Sequence, residues 1–360
     1  MKNPIDCKYF ERISAMFDLL DQYQVNELHV RNDAASGLKA IIAIHNTQFG
    51  PALGGCRFIQ YENDLDAMQD AVRLARGMSY KAVLAGVNQG GGKAVIIKPN
   101  GYYDSKLLFA EFGRFVESLK GRYITAIDSG TTSKEMDIIQ QHTSHVTSTS
   151  STENPSIHTA KGVFEGIKAS VKHKLNKDDL QGLRIAIQGI GNVGAALGRL
   201  LDKAGAHVIV ADICQSNIDS AMSSFASEVV QPEDIYHTPC AVFSPCGLSN
   251  VINKDTIEKL GCMIVAGSAN VQLSSHELGQ RLHEKGILYA PDYVINAGGL
   301  IYASLEHQGI LKSVAVEKVS HIYGTLSDIY QQSKLTNTAS NLIADEIARS
   351  KLYEAINQAA

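Results

Sequence analysis

A glycine-rich turn stands between a short apolar strand and a helical pattern in the second half of the chain. The motif Gly189-Ile-Gly-Asn-Val-Gly194 follows the strand-like run Arg184 to Gln188 and precedes a helix that extends to about Lys203. In such a unit the first glycine permits a tight turn, the second lets a pyrophosphate approach the backbone, and the third allows close helix-to-strand packing. The pattern predicts a dinucleotide-binding unit whose cofactor-binding residues are Gly189, Gly191, Asn192, Val193 and Gly194.

An acidic residue ends the next strand-like run. Asp212 closes the segment Val208-Ile-Val-Ala-Asp, 18 residues after Gly194. This is near the spacing expected for a carboxylate that accepts hydrogen bonds from the adenosine ribose hydroxyls. The charge of Asp212 would repel a 2′-phosphate, so the sequence favours NAD over NADP. Two alternatives remain: the glycine turn only packs its helix, or Asp212 is only a solvated strand end.

Strands and helices alternate in both halves of the chain, as in α/β proteins. After the motif, further strand-like runs have the rhythm of a doubly wound parallel sheet: His207 to Ala211, Ala241 to Ser244, Met263 to Ala266 and Ile287 to Ala290. We predict two domains separated by a cleft, with their boundary near residues 145 to 158. Residues 1–147 form an α/β substrate-binding and catalytic domain, and residues 148–334 form a Rossmann NAD-binding domain. A C-terminal helix, about 335–360, is predicted to pack back on the first domain.

Within the first half, apolar spacing and turn residues predict the individual elements. A helix is expected from about Lys8 to Gln24 and a hairpin from Glu27 to His45. Glycine-rich loops are expected over residues 49–57 and 90–93. Two helices, 64–76 and 78–84, separate these loops, and an alternation of strand 94–98, helix 105–120 and strand 123–127 follows.

Composition and charge exclude several classes of protein. The 33 basic and 37 acidic residues give a formal net charge of -4, which offers no excess of positive charge to neutralise a nucleic-acid backbone. No apolar run approaches the ~18 residues of a membrane-spanning helix. The first residues also lack the basic and apolar segments of a leader. We expect a cytoplasmic protein that binds neither nucleic acid nor membrane.

The cysteines and histidines do not predict a metal site. The six cysteines are spread over the chain without a Cys-x-x-Cys pair, and we expect reduced thiols that pack as small apolar side chains. His142 and His145 are close in sequence, but no third ligand is clearly placed beside them. We therefore predict neither a disulfide framework nor a bound metal.

Two lysines in apolar surroundings are candidates for chemistry. Lys81 and Lys93 flank a stretch that contains Gly86 and Gly90 to Gly92. A lysine in a partly dry pocket beside a second ammonium loses proton affinity and can act as a base, while the other ammonium holds a carboxylate. Asp128 follows a predicted strand at the edge where open α/β sheets bind ligands. The alternatives are lysines with ammonium groups in solvent and an aspartate that caps a helix or forms a turn.

Five segments together are typical of one enzyme family: Gly50 to Arg57, Arg73 to Ala82, Gly90 to Val95, Ala266 to Asn270 and Ala290 to Gly299. Over nearly its whole length the chain resembles the Glu/Leu/Phe/Val amino-acid dehydrogenases, and most of all the leucine dehydrogenases among them. The resemblance implies the reversible oxidative deamination of an L-amino acid. NAD takes a hydride from the α-carbon, and water then releases the 2-oxo acid and ammonia.

The resemblance also implies roles for individual residues. Lys93 is similar to the catalytic lysine that activates water, Lys81 to the lysine that clamps the substrate carboxylate, and Asp128 to the aspartate that exchanges protons with the substrate amine. The remaining roles are also matches to family positions. They are the backbone of Gly54 and Gly55 together with Asn296 for the substrate carboxylate side, and Thr159, Cys246, Ala269 and Asn270 for the nicotinamide and its ribose.

The resemblance favours aliphatic substrates. Leu53 and Ala126 fall where the family lines its side-chain pocket, and alanine instead of the glycine of several phenylalanine-preferring relatives leaves less room for a ring. Leucine, valine and isoleucine are therefore expected, with phenylalanine or valine dehydrogenase as alternative activities. A regulatory module that binds NAD without catalysis is the non-enzyme alternative. The family also implies a homo-oligomer, often an octamer. Val271 departs from the pattern, since a second asparagine usually follows the residue at Asn270.

Overall fold

A computed structural model describes the backbone of residues 16–358 and the side chains of residues 16–353. The chain divides into two compact units, Met1–Glu153 and Asn154–Ala360. The helix predicted from about Lys8 lies partly outside the described residues, and its described part, α1, covers residues 16–23.

The first unit contains a mixed five-stranded sheet in the order β1-β2-β4-β3-β5. β1, β2 and β4 are antiparallel neighbours, whereas β4, β3 and β5 run parallel. The strands are β1 (Glu27–Asp33), β2 (Leu38–Asn46), β3 (Ala52–Ile59), β4 (Gly90–Ile97) and β5 (Tyr123–Ile127); the helices are α2 (Asp64–Ala85), α3 (Ser105–Ser118) and α4 (Ser133–Gln140). The predicted β1-β2 hairpin and the α/β class are confirmed.

The two faces of this sheet have separate apolar cores. Val72 and Ala75 of α2 pack with Val95 of β4 on one face. Phe109 of α3 packs with Ile96 of β4 on the other face. Side chains alternate along a strand, so odd-numbered residues of β4 point towards α2 and even-numbered residues point towards α3.

Three predictions in this unit are wrong. The segments expected as loops, 49–57 and 90–93, largely form β3 and the start of β4, and the two expected helices are one helix, α2. Asn63 caps that helix by accepting hydrogen bonds from two backbone N–H groups, and Gly86 ends it in the left-handed conformation. Gly77 lies inside the helix without ending it, because one interior glycine costs only about 1 kcal/mol relative to alanine.

The second unit contains a parallel six-stranded sheet in the order β11-β10-β9-β6-β7-β8. This is the order of a doubly wound dinucleotide-binding fold, and the Rossmann prediction is confirmed. The strands are β6 (Arg184–Gln188), β7 (His207–Ala211), β8 (Ser227–Val229), β9 (Cys240–Pro245), β10 (Cys262–Val265) and β11 (Leu288–Tyr289). The helices are α5 (Pro155–Leu175), α6 (Asn192–Lys203), α7 (Gln215–Ser224), α8 (Glu277–Glu284), α9 (Asp292–Ile295), α10 (Gly298–His307), α11 (Lys312–Ser320), α12 (Ile322–Thr336) and α13 (Ser340–Gln358).

The C-terminal helix, α13, belongs to the second unit, and its described contacts include α8, α12 and β11. Its packing on the first domain stays a prediction. The carboxylate of Asp345 accepts a hydrogen bond from the hydroxyl of Tyr293 at 2.5 Å. Its other oxygen is hydrogen-bonded to Nε2 of His276 at 2.9 Å. The hydroxyl of Ser340 donates to the carbonyl of Tyr289 at the end of β11. Polar contacts with α8, α9 and β11 thus hold the helix, and apolar periodicity alone could not reveal them. In the part of the chain that the structure describes, no helix is long and apolar enough to cross a membrane.

Candidate active site

Lys93 lies in the middle of β4, on the face covered by α2. It is paired with Ala43 of β2, and only 7% of its side chain is exposed. Gly91 precedes it on the same face, where a Cβ atom would stand 2.1 Å from the backbone nitrogen of Ser79. Glycine at this position therefore lets α2 come close to the strand. Two residues after Ser79, the same helix carries Lys81, which is half-buried.

Asp128 holds its carboxylate against this lysine. Lys93 Nζ and Asp128 Oδ2 form an ion pair in which 12% of the aspartate side chain is exposed. The aspartate begins a turn after β5. Its N–H donates to Thr131 Oγ1 at 2.9 Å, and its carbonyl accepts from the Thr131 N–H at 3.0 Å. The N–H of Ser129 donates to Asp128 Oδ1 at 2.5 Å. The turn thus fixes the direction of the carboxylate.

Burial lowers the pKa of Lys93 from 10.5 to about 7, and the charges of Arg57 and Lys81 act in the same direction. The nearby carboxylate of Asp70 opposes this shift, as contact with the Asp128 carboxylate also does on physical grounds. Near neutral pH such a lysine exists as amine and ammonium in comparable amounts. It can therefore both accept and donate a proton during a reaction.

The other predicted substrate residues of the first unit lie on β3 and β5. Gly55 is paired with Ala126, and a Cβ atom at Gly55 would lie 2.8 Å from the Cβ of Asp128, so glycine leaves room for that side chain. Leu53 is fully buried two residues earlier on the same face. Gly54 alternates to the other face, and its carbonyl accepts a hydrogen bond from Tyr123 at 2.6 Å. Leu53, Gly55, Lys93 and Ala126 thus share one face of the sheet.

Sequence reasoning missed a second charged pair on this face. Arg57 Nη1 donates to Asp70 Oδ2 at 2.7 Å, and Arg57 Nη2 lies 3.6 Å from Asp128 Oδ1. The two-residue alternation along β3 places Arg57 on the same side as Gly55, and this pattern could have identified the arginine. Asp70 lies on α2, and no local pattern connects it with Arg57.

In the second unit, each glycine of the motif has a distinct environment. Gly189 has a φ of +91°, and its N–H donates to the carbonyl of Ala211. A Cβ atom at Gly194 would lie 2.0 Å from the carbonyl oxygen of Gly189, whereas one at Gly191 would meet nothing within 4 Å. Asn192 and Val193 follow as the first residues of α6. Because no other atoms crowd Gly191, a pyrophosphate could approach the backbone N–H groups at the N-terminus of α6.

Asp212 stands beside the glycine turn. Its Oδ2 accepts a hydrogen bond from the N–H of Ile190 at 2.6 Å, and its Oδ1 accepts one from the N–H of Cys214 at 2.8 Å. The side chain of Asn217 also donates to Oδ2 at 3.2 Å. An ionised carboxylate offers about four acceptor positions, so this partly exposed residue retains capacity for a ribose hydroxyl.

The remaining predicted residues also belong to the second unit. Cys246 donates its N–H to Gln188 at 2.7 Å, and burial raises the pKa of its thiol. The N–H of Ala269 donates to a carbonyl at the end of β9. Asn296, predicted for the substrate side, donates to Asn270 Oδ1 at 3.0 Å. The hydroxyl of Thr159 donates to the carbonyl of Pro155 within the first turn of α5, and it lies beside Gly299, where a Cβ atom would stand 2.7 Å from it.

These surroundings fit a nicotinamide dinucleotide. The glycine turn offers backbone N–H groups to phosphate, and Asp212 offers acceptors to a ribose. Asn296 is 5% exposed, and its Oδ1 accepts no hydrogen bond from the described residues. A buried amide oxygen in this state has an unmet requirement for a donor, which a bound cofactor or substrate group would satisfy.

Val271 has a strained backbone next to Asn270. Its φ of +50° is in the left-handed region, which β-branched residues strongly disfavour and asparagine tolerates. We expect Val271→Asn to raise the free energy of unfolding by about 1 kcal/mol, measured as a higher midpoint of thermal unfolding. Val229→Asn is a control on an exposed strand residue with no such strain, and it should give no gain. An unchanged or lower midpoint for Val271→Asn would contradict the explanation.

Comparisons with known proteins agree with this arrangement. Residues 22–145 match the family model described as "Glu/Leu/Phe/Val dehydrogenase, dimerisation domain". Residues 210–342 match the model described as "Glutamate/Leucine/Phenylalanine/Valine dehydrogenase". Among solved structures, the L-tryptophan dehydrogenase from Nostoc punctiforme superposes with a TM-score of 0.83 at 38% identity, covering 95% of this chain and 99% of that one. A hetero-hexameric glutamate dehydrogenase from Thermus thermophilus shares the fold, with a TM-score of 0.77 at 20% identity over 98% of this chain and 96% of that one.

The chain also has well-covered sequence relatives. The leucine dehydrogenase of Thermoactinomyces intermedius is 45% identical over 94% of this chain and 93% of that protein. The leucine dehydrogenase of Bacillus subtilis (strain 168) is 45% identical over 94% of each. An L-tryptophan dehydrogenase from Nostoc punctiforme is 44% identical over 87% of this chain and 91% of that protein. With most of its length matched in this way, the chain belongs to the Glu/Leu/Phe/Val dehydrogenase family.

Proposed function

We propose that this chain catalyses the reversible, NAD-dependent oxidative deamination of branched-chain L-amino acids, with L-leucine as the preferred substrate. The observation that carries the proposal is a buried lysine, Lys93, with a pKa near 7 and in direct contact with Asp128. Family membership supports the reaction class, and relatives named leucine dehydrogenase support the substrate.

Three charged groups of the first unit, Lys81, Lys93 and Asp128, have roles in this proposal. The Lys81 ammonium binds the substrate carboxylate. The Asp128 carboxylate accepts a proton from the substrate nitrogen and returns one as ammonia leaves. The neutral amine of Lys93 takes a proton from the water that adds to the imino carbon, and the ammonium so formed stabilises charge on the new oxygen. NAD, when bound, supplies the oxidant that accepts the hydride from the α-carbon.

The choice of NAD rests on Asp212. A carboxylate already held by two backbone N–H groups is fixed in place and stays close to any ribose bound at the end of β7. A 2′-phosphate there would meet a like charge, which is unfavourable at short range. We therefore expect a clear preference for NAD over NADP.

Steady-state rates with leucine, valine, isoleucine, phenylalanine and tryptophan, each with NAD and with NADP, test the proposal. We expect the highest kcat/KM with leucine and NAD. One added methylene in an apolar pocket changes discrimination by only about 1–3 kcal/mol, so valine and isoleucine should also react. A clear preference for an aromatic amino acid would overturn the substrate assignment, and comparable rates with NADP would overturn the argument from Asp212. No turnover with any amino acid would favour the regulatory alternative.

The pH dependence of the reaction should report Lys93. Its pKa near 7 means that the fraction of neutral amine rises as pH increases through 7. We expect kcat for deamination, at saturating amino acid and cofactor, to rise along an acid limb with a midpoint near 7. A kcat that is flat between about pH 6 and 8 would contradict a proton-accepting role for this lysine.

We also propose a cytoplasmic homo-oligomer, with an octamer as the expected size. The described cysteines are free thiols, as is usual in a reducing compartment. The family model that matches residues 22–145 is described as a dimerisation domain. Light scattering of the purified protein would give the number of subunits, and a monomer would contradict this part of the proposal.

A further inference from the structure

A charged pair beside the proposed active site links β3 with α2. The guanidinium of Arg57 donates to Asp70 through Nη1, and its Nη2 is directed towards Asp128 Oδ1 at 3.6 Å. The exposed fractions of the Arg57 and Asp70 side chains are 17% and 14%. Charges removed from water to this extent interact more strongly than surface ion pairs. The pair is therefore part of the electrostatics of the site.

The anchoring carboxylate of the pair is well satisfied. Besides Arg57, Asp70 accepts hydrogen bonds from the hydroxyl of Tyr61 and the guanidinium of Arg73, each at 2.8 Å. Burial opposes ionisation of Asp70, but Arg57, Tyr61 and Arg73 together lower its pKa below the usual value. Asp70 is thus an anion throughout the working pH range, and its position fixes the orientation of the Arg57 fork.

The two oxygens of Asp128 have different neighbours. Oδ1 accepts the N–H of Ser129 and faces Arg57, whereas Oδ2 contacts Lys93. We propose that Arg57, held by Asp70, is a positioning residue that fixes the Asp128 carboxylate through Oδ1 and leaves Oδ2 for Lys93 and the substrate amine. This inference rests on the proposed function and adds a residue that acts through Asp128 rather than on the substrate.

The charges of Arg57 and Asp70 should also change the pKa of Lys93. The titratable and charged groups that act on this lysine are Asp128 after β5, Arg57 on β3, Lys81 and Asp70 on α2, and Cys56, which lies on the opposite face of β3. After burial, the charge of Arg57 has the largest effect in lowering the pKa of Lys93, whereas Asp70 raises it. Removing either charge should therefore move the acid limb of the pH profile, and the two changes should move it in opposite directions.

The test compares Arg57→Met and Asp70→Asn with the unmodified protein, using kcat for leucine deamination over a range of pH. Without the arginine charge the midpoint of the acid limb should rise by about half a unit or more, and without the Asp70 charge it should fall. A misplaced Asp128 should also reduce kcat of Arg57→Met about 10- to 100-fold. Arg57→Lys keeps the positive charge but cannot contact Asp70 and Asp128 through two separate nitrogens. The midpoint of its acid limb should therefore stay near that of the unmodified protein, while its kcat falls.

Controls separate a positioning role from a loss of folding. Arg114→Met removes an exposed arginine of the same unit and should leave the midpoint and kcat unchanged. If circular dichroism shows that Arg57→Met is unfolded, Asp70→Asn decides: a lower midpoint supports the inference, and an unchanged one overturns it. Midpoints that do not move, or that move in the same direction, also overturn it. If the unmodified protein does not reduce NAD with any amino acid, the proposed function itself has failed.

Discussion

Replacing Lys93 by alanine is expected to reduce kcat for leucine deamination by about 10³- to 10⁴-fold, the upper part of the range for loss of a general base. The substitution removes the only group proposed to take the proton from water, and it leaves Asp128 without its ammonium partner. Binding of the cofactor should change little, because the glycine turn and Asp212 belong to the other unit. Stopped-flow or steady-state absorbance of NADH gives the rate, and fluorescence titration gives the affinity for NADH.

A matched lysine on the same segment provides the control for this prediction. Lys98 follows β4, is exposed, and has its ammonium 5.7 Å from the ring centre of Phe58. Lys98→Ala should retain kcat within about twofold, as expected for a surface change away from the reacting groups. Substantial turnover by Lys93→Ala, at a tenth of the normal rate or more, would show that another group accepts the proton.

Gly91→Ala is expected to have a large effect on folding. The added Cβ atom would lie 2.1 Å from the backbone nitrogen and 2.3 Å from the hydroxyl oxygen of Ser79, so α2 would have to move away from the sheet. Backbone cannot rotate away as the end of a flexible side chain can, and we expect a loss of about 3 kcal/mol or more. Urea unfolding of the purified variant should show an earlier midpoint. Activity should fall as well, because Lys81 moves with Ser79.

Gly77, which lies in α2 itself, is a glycine whose replacement by alanine should stabilise the fold. A Cβ atom at this position would meet nothing within 4 Å, and alanine is a better helix former than glycine. Gly77→Ala should therefore raise stability by about 0.5–1 kcal/mol. Equal midpoints for Gly91→Ala and the unmodified protein would mean that α2 is less tightly packed on β4 than the structure indicates.

Local patterns in the sequence were sufficient for much of the fold. The strands β5, β6 and β7 begin and end at the predicted residues, because each is a short apolar run bounded by turn-forming residues. The doubly wound parallel sheet was predicted from the rhythm of strands and helices, although the order of its strands was not. The prediction was wrong for β3 and the start of β4, because their glycines are typical of loops. Glycine is present there because other parts of the chain come close to the strand, as Ser79 does at Gly91. That cause is tertiary and leaves no local pattern.

The candidate site divides in the same way. Lys93 and Asp128 could be selected from the sequence. A lysine among glycines and apolar residues indicates a buried ammonium group, and an aspartate directly after a strand indicates the ligand-binding edge of the sheet. The contact between Arg57 and Asp70 joins residues 13 positions apart on a strand and a helix. It depends on how α2 lies across β3, and hydrophobic periodicity sets only which face is buried. Ion pairs of this kind therefore emerge only with the structure.

The burial of Lys93 also has a thermodynamic consequence. In the unfolded chain this side chain regains its ordinary pKa of 10.5, against about 7 in the folded protein. Between these two values unfolding takes up a proton, so the contribution of Lys93 to the free energy of unfolding grows by about 1.4 kcal/mol for each pH unit. Below pH 7 the full cost of burying an ammonium remains, and above pH 10.5 it vanishes. The group that makes the site reactive thus costs the folded protein most stability on the acid side and least in alkali.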